Sequence, residues 1–330
     1  MTLSYREAGV DLAVAERIAG RLAARLGTGL FGGFLPVPEL REYDEPVLIS
    51  SIDGVGTKVR LAALLDRPGG LGEDLVHHCV NDIAVHGARP LLFLDYLAFH
   101  RLEAPRVERI VASIADACSV LGIALAGGET AEMPLVYGEG SFDMAGAIVG
   151  VAERSAIVDG SAIRAGDVLL GLESSGLHTN GYSLVQRVFS EADYRRYEPA
   201  LGRTLGEALL EPHRCYLQDI GTLLATDAVH GLAHITGGGI DGNLERIVPT
   251  GLQATVSLPP PPPLFALLES AGIDSGEMRR VFNMGIGLVA VCDRSIQSLA
   301  TERLPGGCHV LGEITQNDES ARRVMIRDDH

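Results

Sequence analysis

The sequence predicts a mixed α/β (α+β) protein built as two α/β halves of similar length, residues 1–155 and 156–330. Three observations carry that prediction. A chain of 330 residues is long enough for two domains of ordinary size, each with its own core. Short apolar runs alternate with helix-periodic stretches from end to end. Glycine is abundant, at 40 residues against an average usage of ~7%. Much of it clusters between the apolar runs, as in a protein that meets ligands with its backbone.

Taken in order, Val14, Ile18, Leu22 and Leu26 define one face of a helix over residues 11–26, with Asp11 near its start. A Gly-rich loop follows over 27–38, then a strand over 47–51. Residues 74–86 have helical spacing, with Asp74 as a candidate cap, and 90–98 read as a strand. Pro105 suits the first turn of a helix running to Leu121. Residues 123–126 and 142–151 are strands, and a boundary falls near 155–166. The second half then reads as strand 167–172, helix 181–189, helix 212–224 opened by Pro212, strand 230–235 and helix 241–247. Strand 252–258 leads into the Pro259–Pro263 run, which takes polyproline II form. Helices over 263–271 and 276–280, strand 284–292, a helix capped by Asp293 and strands 309–314 and 322–327 complete the chain.

Composition narrows the function classes. The formal charge of −16 argues against nucleic-acid and anionic-membrane partners, but not against a small phosphorylated substrate handled with a metal ion. Tryptophan is absent and aromatics are 5%, so the core is aliphatic. The five cysteines are scattered, with no C-x-x-C spacing. Together with an N-terminal stretch lacking an apolar signal region, they predict a cytoplasmic, reducing location.

The most informative segment is Ser51-Ile52-Asp53-Gly54-Val55-Gly56-Thr57-Lys58, which follows an apolar strand. Gly54 and Gly56 let backbone N–H groups approach phosphate, with Thr57 adding a hydroxyl. Lys58 supplies a positive charge, and Asp53 holds a hard cation such as Mg²⁺. The order is not that of a P-loop, and by itself the octapeptide fits an ordinary strand-to-helix turn equally well. Gly27-x-Gly29-x-x-Gly32 matches a dinucleotide fingerprint by letter but follows a helix, so a Rossmann reading is rejected. Asn81 and Asp82 sit within an apolar helix pattern; Asp82 is either a solvated acid or a Mg²⁺ ligand aimed at Asp53. Gly127-Gly128-Glu129-Thr130 ends a strand and offers a further carboxylate. Three acids in separate elements, Asp53, Asp82 and Glu129, suit a Mg²⁺–nucleotide site.

In the second half, Ser174 to Tyr182 leads from strand to helix and gathers Ser175, His178 and Asn180, polar groups beside a helix start. His234-Ile235-Thr236-Gly237-Gly238-Gly239 repeats the strand–glycine–helix logic, with His234 either a core histidine or a site residue. Asn283 and two glycines open the strand after it.

These segments together resemble the phosphoribosylformylglycinamidine cyclo-ligase (AIR synthetase) family, a likeness covering essentially the whole chain. The wording that carries it is DGVGTK (53–58), CVNDI with GARPLLFLDY (79–96), GGETAEMP around Glu129, SSGLHTNGYSL (174–184), HITGGG (234–239) and FNMGIG (282–287). The resemblance implies a first half that forms a β-barrel across a homodimer. It also implies ATP-dependent closure of formylglycinamidine ribonucleotide to aminoimidazole ribonucleotide. Carried over by motif, Asp53, Asp82 and Glu129 hold Mg²⁺, while Gly54, Gly56, Thr57, Lys58, Asn81 and Gly128 serve the nucleotide. Ser175, His178, Asn180, Thr236, Gly237, Gly238, Gly239 and Asn283 lie at the substrate. Lys58, Asn180 and His178 are the catalytic candidates, with His178 moving the proton.

Departures from the family wording are a short Arg25–Pro38 segment nearly without lysine, Val281 before Phe-Asn, and Ser51-Ile52 before Asp-Gly. They leave two competing readings. One is a superfamily kinase or maturation ATPase; the other is a nucleotide-binding subunit without turnover.

Overall fold

The computed structural model describes residues 34–296, 304 and 307–327. The helix expected over 11–26 and the glycines at 27, 29 and 32 lie outside the described residues. In the first half, β1 (Pro46–Gly54), β2 (Arg89–Phe99), β3 (Ala124–Glu132) and β4 (Phe142–Glu153) form one sheet in the order β1-β4-β2-β3. Only the β2–β3 pair is parallel. Helices Leu71–Ala84 and Ala104–Val120 cover one face, packing Leu75, Cys79, Ile83, Ile110 and Ile114 with Phe93, Leu97, Met144 and Ile148. Among the described residues nothing covers the other face, which is apolar: Leu48, Ile52, Leu94 and Tyr96 are 63%, 73%, 40% and 40% exposed. The sheet does not close on itself.

The second half holds β5 (Val168–Glu173), β8 (Val229–His234), β9 (Leu252–Ser257), β10 (Ile286–Cys292), β11 (Cys308–Gln316) and β12 (Val324–Arg327). The two-residue strands β6 (Tyr197–Glu198) and β7 (Arg203–Thr204) pair apart from them. The main sheet runs β12-β9-β11-β5-β10-β8, antiparallel except at β12–β9. Both of its faces are covered. Leu170, Leu172, Leu288 and Ala290 pack against helix Leu217–Leu224 on one side. Leu169, Val289 and Val291 pack with Ile240 and Leu244 on the other. That is why these strands read as unbroken apolar runs.

Several expected elements differ. The helix expected from Pro212 starts only at Leu217. The N–H groups of His213 and Tyr216 donate instead to the Asp74 and Asn81 side chains of the first half, so residues 211–216 are drawn out along helix Leu71–Ala84. Strand β3 continues through Gly127-Gly128-Glu129 to Glu132 instead of ending at the glycines. Helix Lys58–Leu64 follows directly on the Asp53–Thr57 turn, a helix the periodicity did not disclose. Of the helix expected after Asp293, a 3₁₀ turn over Arg294–Ile296 is seen, and residues 297–303 lie outside the described ones. Among the described residues, no helix is long and apolar enough to cross a membrane.

Candidate functional site at the seam of the two halves

Sheet topology gathers the loops of the second half. β10 lies antiparallel between β5 and β8, so its start meets their ends, with Ile286 opposite Glu173 and Leu288 opposite His234. Loops 174–181, 235–238 and 282–285 therefore share one sheet edge. From the first half, the Asp53–Thr57 turn docks on the same region. The Thr57 and Ser183 hydroxyls are 2.9 Å apart, and Gln186 Nε2 donates to the Thr57 carbonyl at 3.0 Å. Gly56 makes this turn with φ +54°, a conformation that favours glycine. Helix Leu71–Ala84 completes the seam. Its spacing puts Asp74, His78, Asn81 and Asp82 along the flank that faces the second half.

At the open end of the seam, imidazoles and carboxylates interlock. His78 Nε2 lies 2.8 Å from Asp53 Oδ2 and 3.9 Å from Asp82 Oδ2. His234 Nδ1 lies 2.9 Å from Asp82 Oδ1. Outer partners hold each group: Ser51 Oγ donates to Asp82 Oδ2 at 2.8 Å, and the Gly54 N–H donates to Asp53 Oδ1 at 2.7 Å. The Thr179 hydroxyl meets His78 Nδ1 at 2.8 Å. Burial favours neutral carboxyls here, but His78, by hydrogen bond and charge, outweighs it and holds the Asp53 pKa below its ordinary value. Asp82 is likewise lowered against the effect of burial by His234 and His78. The converse holds for His78, where Asp53 and Asp82 overcome burial and raise its pKa.

Deeper in, His234 Nε2 is 3.0 Å from His213 Nε2, and the His213 ring stacks on His178 with centroids 3.8 Å apart. Burial drives the pKa of His178 and His213 well below that of an ordinary histidine, so both are neutral at neutral pH. His178 Nε2 accepts the Ser175 N–H at 3.3 Å while its Nδ1 is buried without a partner. The same residue has φ +59°, a backbone strain of the sort that gathers at functional sites.

The remaining candidates fall in different settings. Lys58, expected at phosphate, is fully buried: its ammonium donates to Asp74 Oδ1 at 2.8 Å, to the Glu211 carbonyl at 2.7 Å and to the His178 carbonyl at 3.3 Å. Two of its donors join the halves, and Asp74, which takes the third, is a buried ion-pair partner, not a cap. Asn81 is also consumed, donating to the Arg214 carbonyl and accepting from the Tyr216 N–H, each at 2.8 Å. Ser175 Oγ donates to the Pro212 carbonyl. Asn283 latches two loops, donating to the Gly176 carbonyl and accepting from the Gly285 N–H, each at 2.9 Å.

Asn180 abuts the glycine loop, with its Oδ1 3.4 Å from where a Cβ on Gly237 would sit. That loop, Thr236 to Gly239, is braced by Asn243, whose Nδ2 donates to the Gly239 carbonyl at 2.8 Å. Gly128 and Glu129 lie elsewhere, on edge strand β3, which two strands separate from β1. At ~4.8 Å per strand step, Glu129 is about 14 Å from the Asp53 row. The structure thus joins Asp53 with Asp82 and, within one chain, leaves Glu129 apart.

Sequence reasoning missed His78, His213, Asp74 and Asn243. The doublet His77-His78 and the pair His213-Arg214 were visible, but nothing local distinguishes them from surface or core histidines.

Comparison with known proteins identifies the family of the chain. The family model described as AIR synthase related protein, N-terminal domain, matches residues 40–152. The corresponding C-terminal domain model matches residues 164–325. The chain is 45% identical, over 97% of its length and 98% of the relative's, to a protein of Desulfitobacterium hafniense named phosphoribosylformylglycinamidine cyclo-ligase. A protein of Bifidobacterium longum subsp. infantis with the same name is 43% identical over 98% of this chain and 100% of its own. Among solved structures, the hydrogenase maturation protein HypE in complex with ATP matches with a TM-score of 0.68 at 19% identity, covering 93% of this chain and 90% of that one. This last likeness bears on the fold alone.

Proposed function

The chain belongs to the AIR synthase related protein family through both its domains, and from that premise we propose that it is a phosphoribosylformylglycinamidine cyclo-ligase. The observation that carries the reading is the 45% identity to a cyclo-ligase across 97% of the chain. The reaction is ring closure of formylglycinamidine ribonucleotide to aminoimidazole ribonucleotide, with ATP converted to ADP and phosphate. The formyl amide oxygen takes the γ-phosphoryl group, the amidine nitrogen attacks the activated carbon, and phosphate leaves with that oxygen. Positioning and charge neutralisation account for most of such catalysis.

The seam suits this task. Asp53 and Asp82 are close, part-exposed carboxylates and fit a divalent cation. Mg²⁺ held there would neutralise phosphate charge. The turn Gly54–Thr57 offers backbone to the nucleotide, and Thr236 to Gly239 with Asn180 offers backbone and amide to the ribonucleotide. His178 is neutral and uses Nε2 to accept the Ser175 N–H, which leaves the proton on Nδ1; to take the proton of the reaction, Nε2 would first have to release that N–H. Its depth beneath the surface keeps bulk water from competing.

The bare apolar face of the first sheet supports a homodimer in which two such sheets close a barrel. Glu129, on edge strand β3, would then face a second copy. Five free cysteines support a reducing, cytoplasmic setting. The test is turnover with formylglycinamidine ribonucleotide and MgATP, following both products. One-to-one formation of aminoimidazole ribonucleotide and ADP is expected. ADP without the imidazole, or neither product, would overturn the assignment in favour of another ATP-dependent activity.

A further inference from the structure

We infer that His78 and His234 join Asp53 and Asp82 in a mixed nitrogen–oxygen site that takes a borderline divalent transition ion of the Co²⁺ or Zn²⁺ class. This inference rests on the reading of the two carboxylates as metal ligands and adds imidazoles to them. One ligand atom each from His78, Asp82 and His234 already lies within 4.8 Å of the others. Asp53 Oδ2 is 2.8 Å from His78 Nε2.

The two short N···O contacts, 2.8 Å at His78–Asp53 and 2.9 Å at His234–Asp82, are each bridged by one proton. Metal bonds of ~2.0–2.2 Å in tetrahedral geometry separate ligand atoms by about 3.3 Å. An ion replacing both protons therefore needs these two contacts to open by about half an ångström and the 3.9 Å between His78 Nε2 and Asp82 Oδ2 to close by a similar amount, while Asp53, outside the set of three, swings inward to join them. The Asp53 and Asp82 side chains are 45% and 25% exposed, so an ion can enter from solvent; His78 and His234 are 5% and 4% exposed and form the floor.

The outer shell is also that of a metal centre. Such ligands are oriented by hydrogen bonds on their far side. Here Thr179 holds His78 Nδ1, Ser51 holds Asp82 Oδ2 and the Gly54 N–H holds Asp53 Oδ1. His213 meets the far nitrogen of His234. Mg²⁺ prefers oxygen ligands alone and binds imidazole poorly, whereas Co²⁺ and Zn²⁺ gain from it. An ion seated on all four groups occupies both carboxylates and so excludes Mg²⁺ from them.

The experiment is titration of the full-length protein with Co²⁺ and, separately, Mg²⁺, without nucleotide, by calorimetry and by the visible absorption of Co²⁺. One Co²⁺ per chain is expected, with the absorption of a nitrogen-containing site. His78→Ala and His234→Gln should each lower Co²⁺ affinity at least tenfold and change Mg²⁺ affinity less than threefold, with circular dichroism confirming that each variant folds. Unchanged Co²⁺ affinity in both folded variants would overturn the inference. So would equal losses for Co²⁺ and Mg²⁺. Because no nucleotide or substrate is present, these results are independent of whether the protein makes aminoimidazole ribonucleotide.

Discussion

Asp53 shows how much one side chain does at this site: it closes the β1 turn through the Gly54 N–H and pairs with His78. Asparagine keeps the shape and one acceptor but loses the charge. We expect Asp53→Asn to lower cyclo-ligase turnover by at least 100-fold with its melting temperature within a few degrees of wild type; near-normal turnover would remove Asp53 from the metal assignment. Asp95 makes a different case. Burial pushes its carboxyl up to about 7, and a Cβ on Gly128 would lie 2.3 Å from its Oδ1, so Gly128 is needed there for space. A carboxyl whose folded pKa exceeds its unfolded value of ~3.9 favours the fold at low pH and loses that contribution as pH rises through about 7. Asp95→Asn should therefore gain stability relative to wild type between pH 4 and pH 8. Melting curves showing the same difference at both pH values would count against an Asp95 carboxyl pushed up by burial.

At the scale of elements, glycines set how closely the loops approach. Gly239, with φ +63°, opens helix Gly239–Leu244, and a Cβ there would sit 2.0 Å from the Arg279 carbonyl oxygen. That oxygen is backbone and cannot swing away. Gly239→Ala combines a left-handed conformation with a clash and should cost more than about 2 kcal/mol, read by chemical denaturation. It should also raise KM for the ribonucleotide, since the loop Thr236–Gly239 must shift. The helix start at Leu217 belongs to this scale too. Pro212 was a reasonable helix opener, but side chains of another helix captured the N–H groups that a first turn would have left free. Periodicity within a segment cannot reveal a competitor that lies 139 residues away.

For the whole molecule, the seam is held by a buried charge. Lys58 and Asp74 are both 0% exposed, and Lys58 reaches carbonyls at 178 and 211 in the second half. Removing one member of a buried pair typically costs about 3–5 kcal/mol because the other is left uncompensated. Lys58→Met should lose stability on that scale and broaden or split the unfolding transition as the halves uncouple. Circular dichroism and tryptic sensitivity of residues 154–167 read this directly. The bare face of the first sheet leads to a second expectation. Ile52→Glu places a charge at its most exposed apolar position and should turn a dimer into monomers by light scattering, with the circular dichroism spectrum unchanged. A dimer that survives Ile52→Glu would count against a proposed barrel closed through this face.

Much of the fold was legible in the chain because apolar periodicity and glycine punctuation are local properties. Most of the strand and helix order and the loops bearing Asp53, His178 and Thr236–Gly239 follow from neighbours in sequence, whereas helix Lys58–Leu64 and the late start of helix Leu217–Leu224 do not. The family wording added the reaction. Only the tertiary structure decided which polar groups share a site. It brought His78 and His234 to Asp53 and Asp82, buried Lys58 and Asn81 in the seam and left Glu129 on the far edge of a four-stranded sheet. The physical reason is that a polar side chain's role is set by burial and by the partner it meets, and here most of those partners lie in another element or in the other half of the chain.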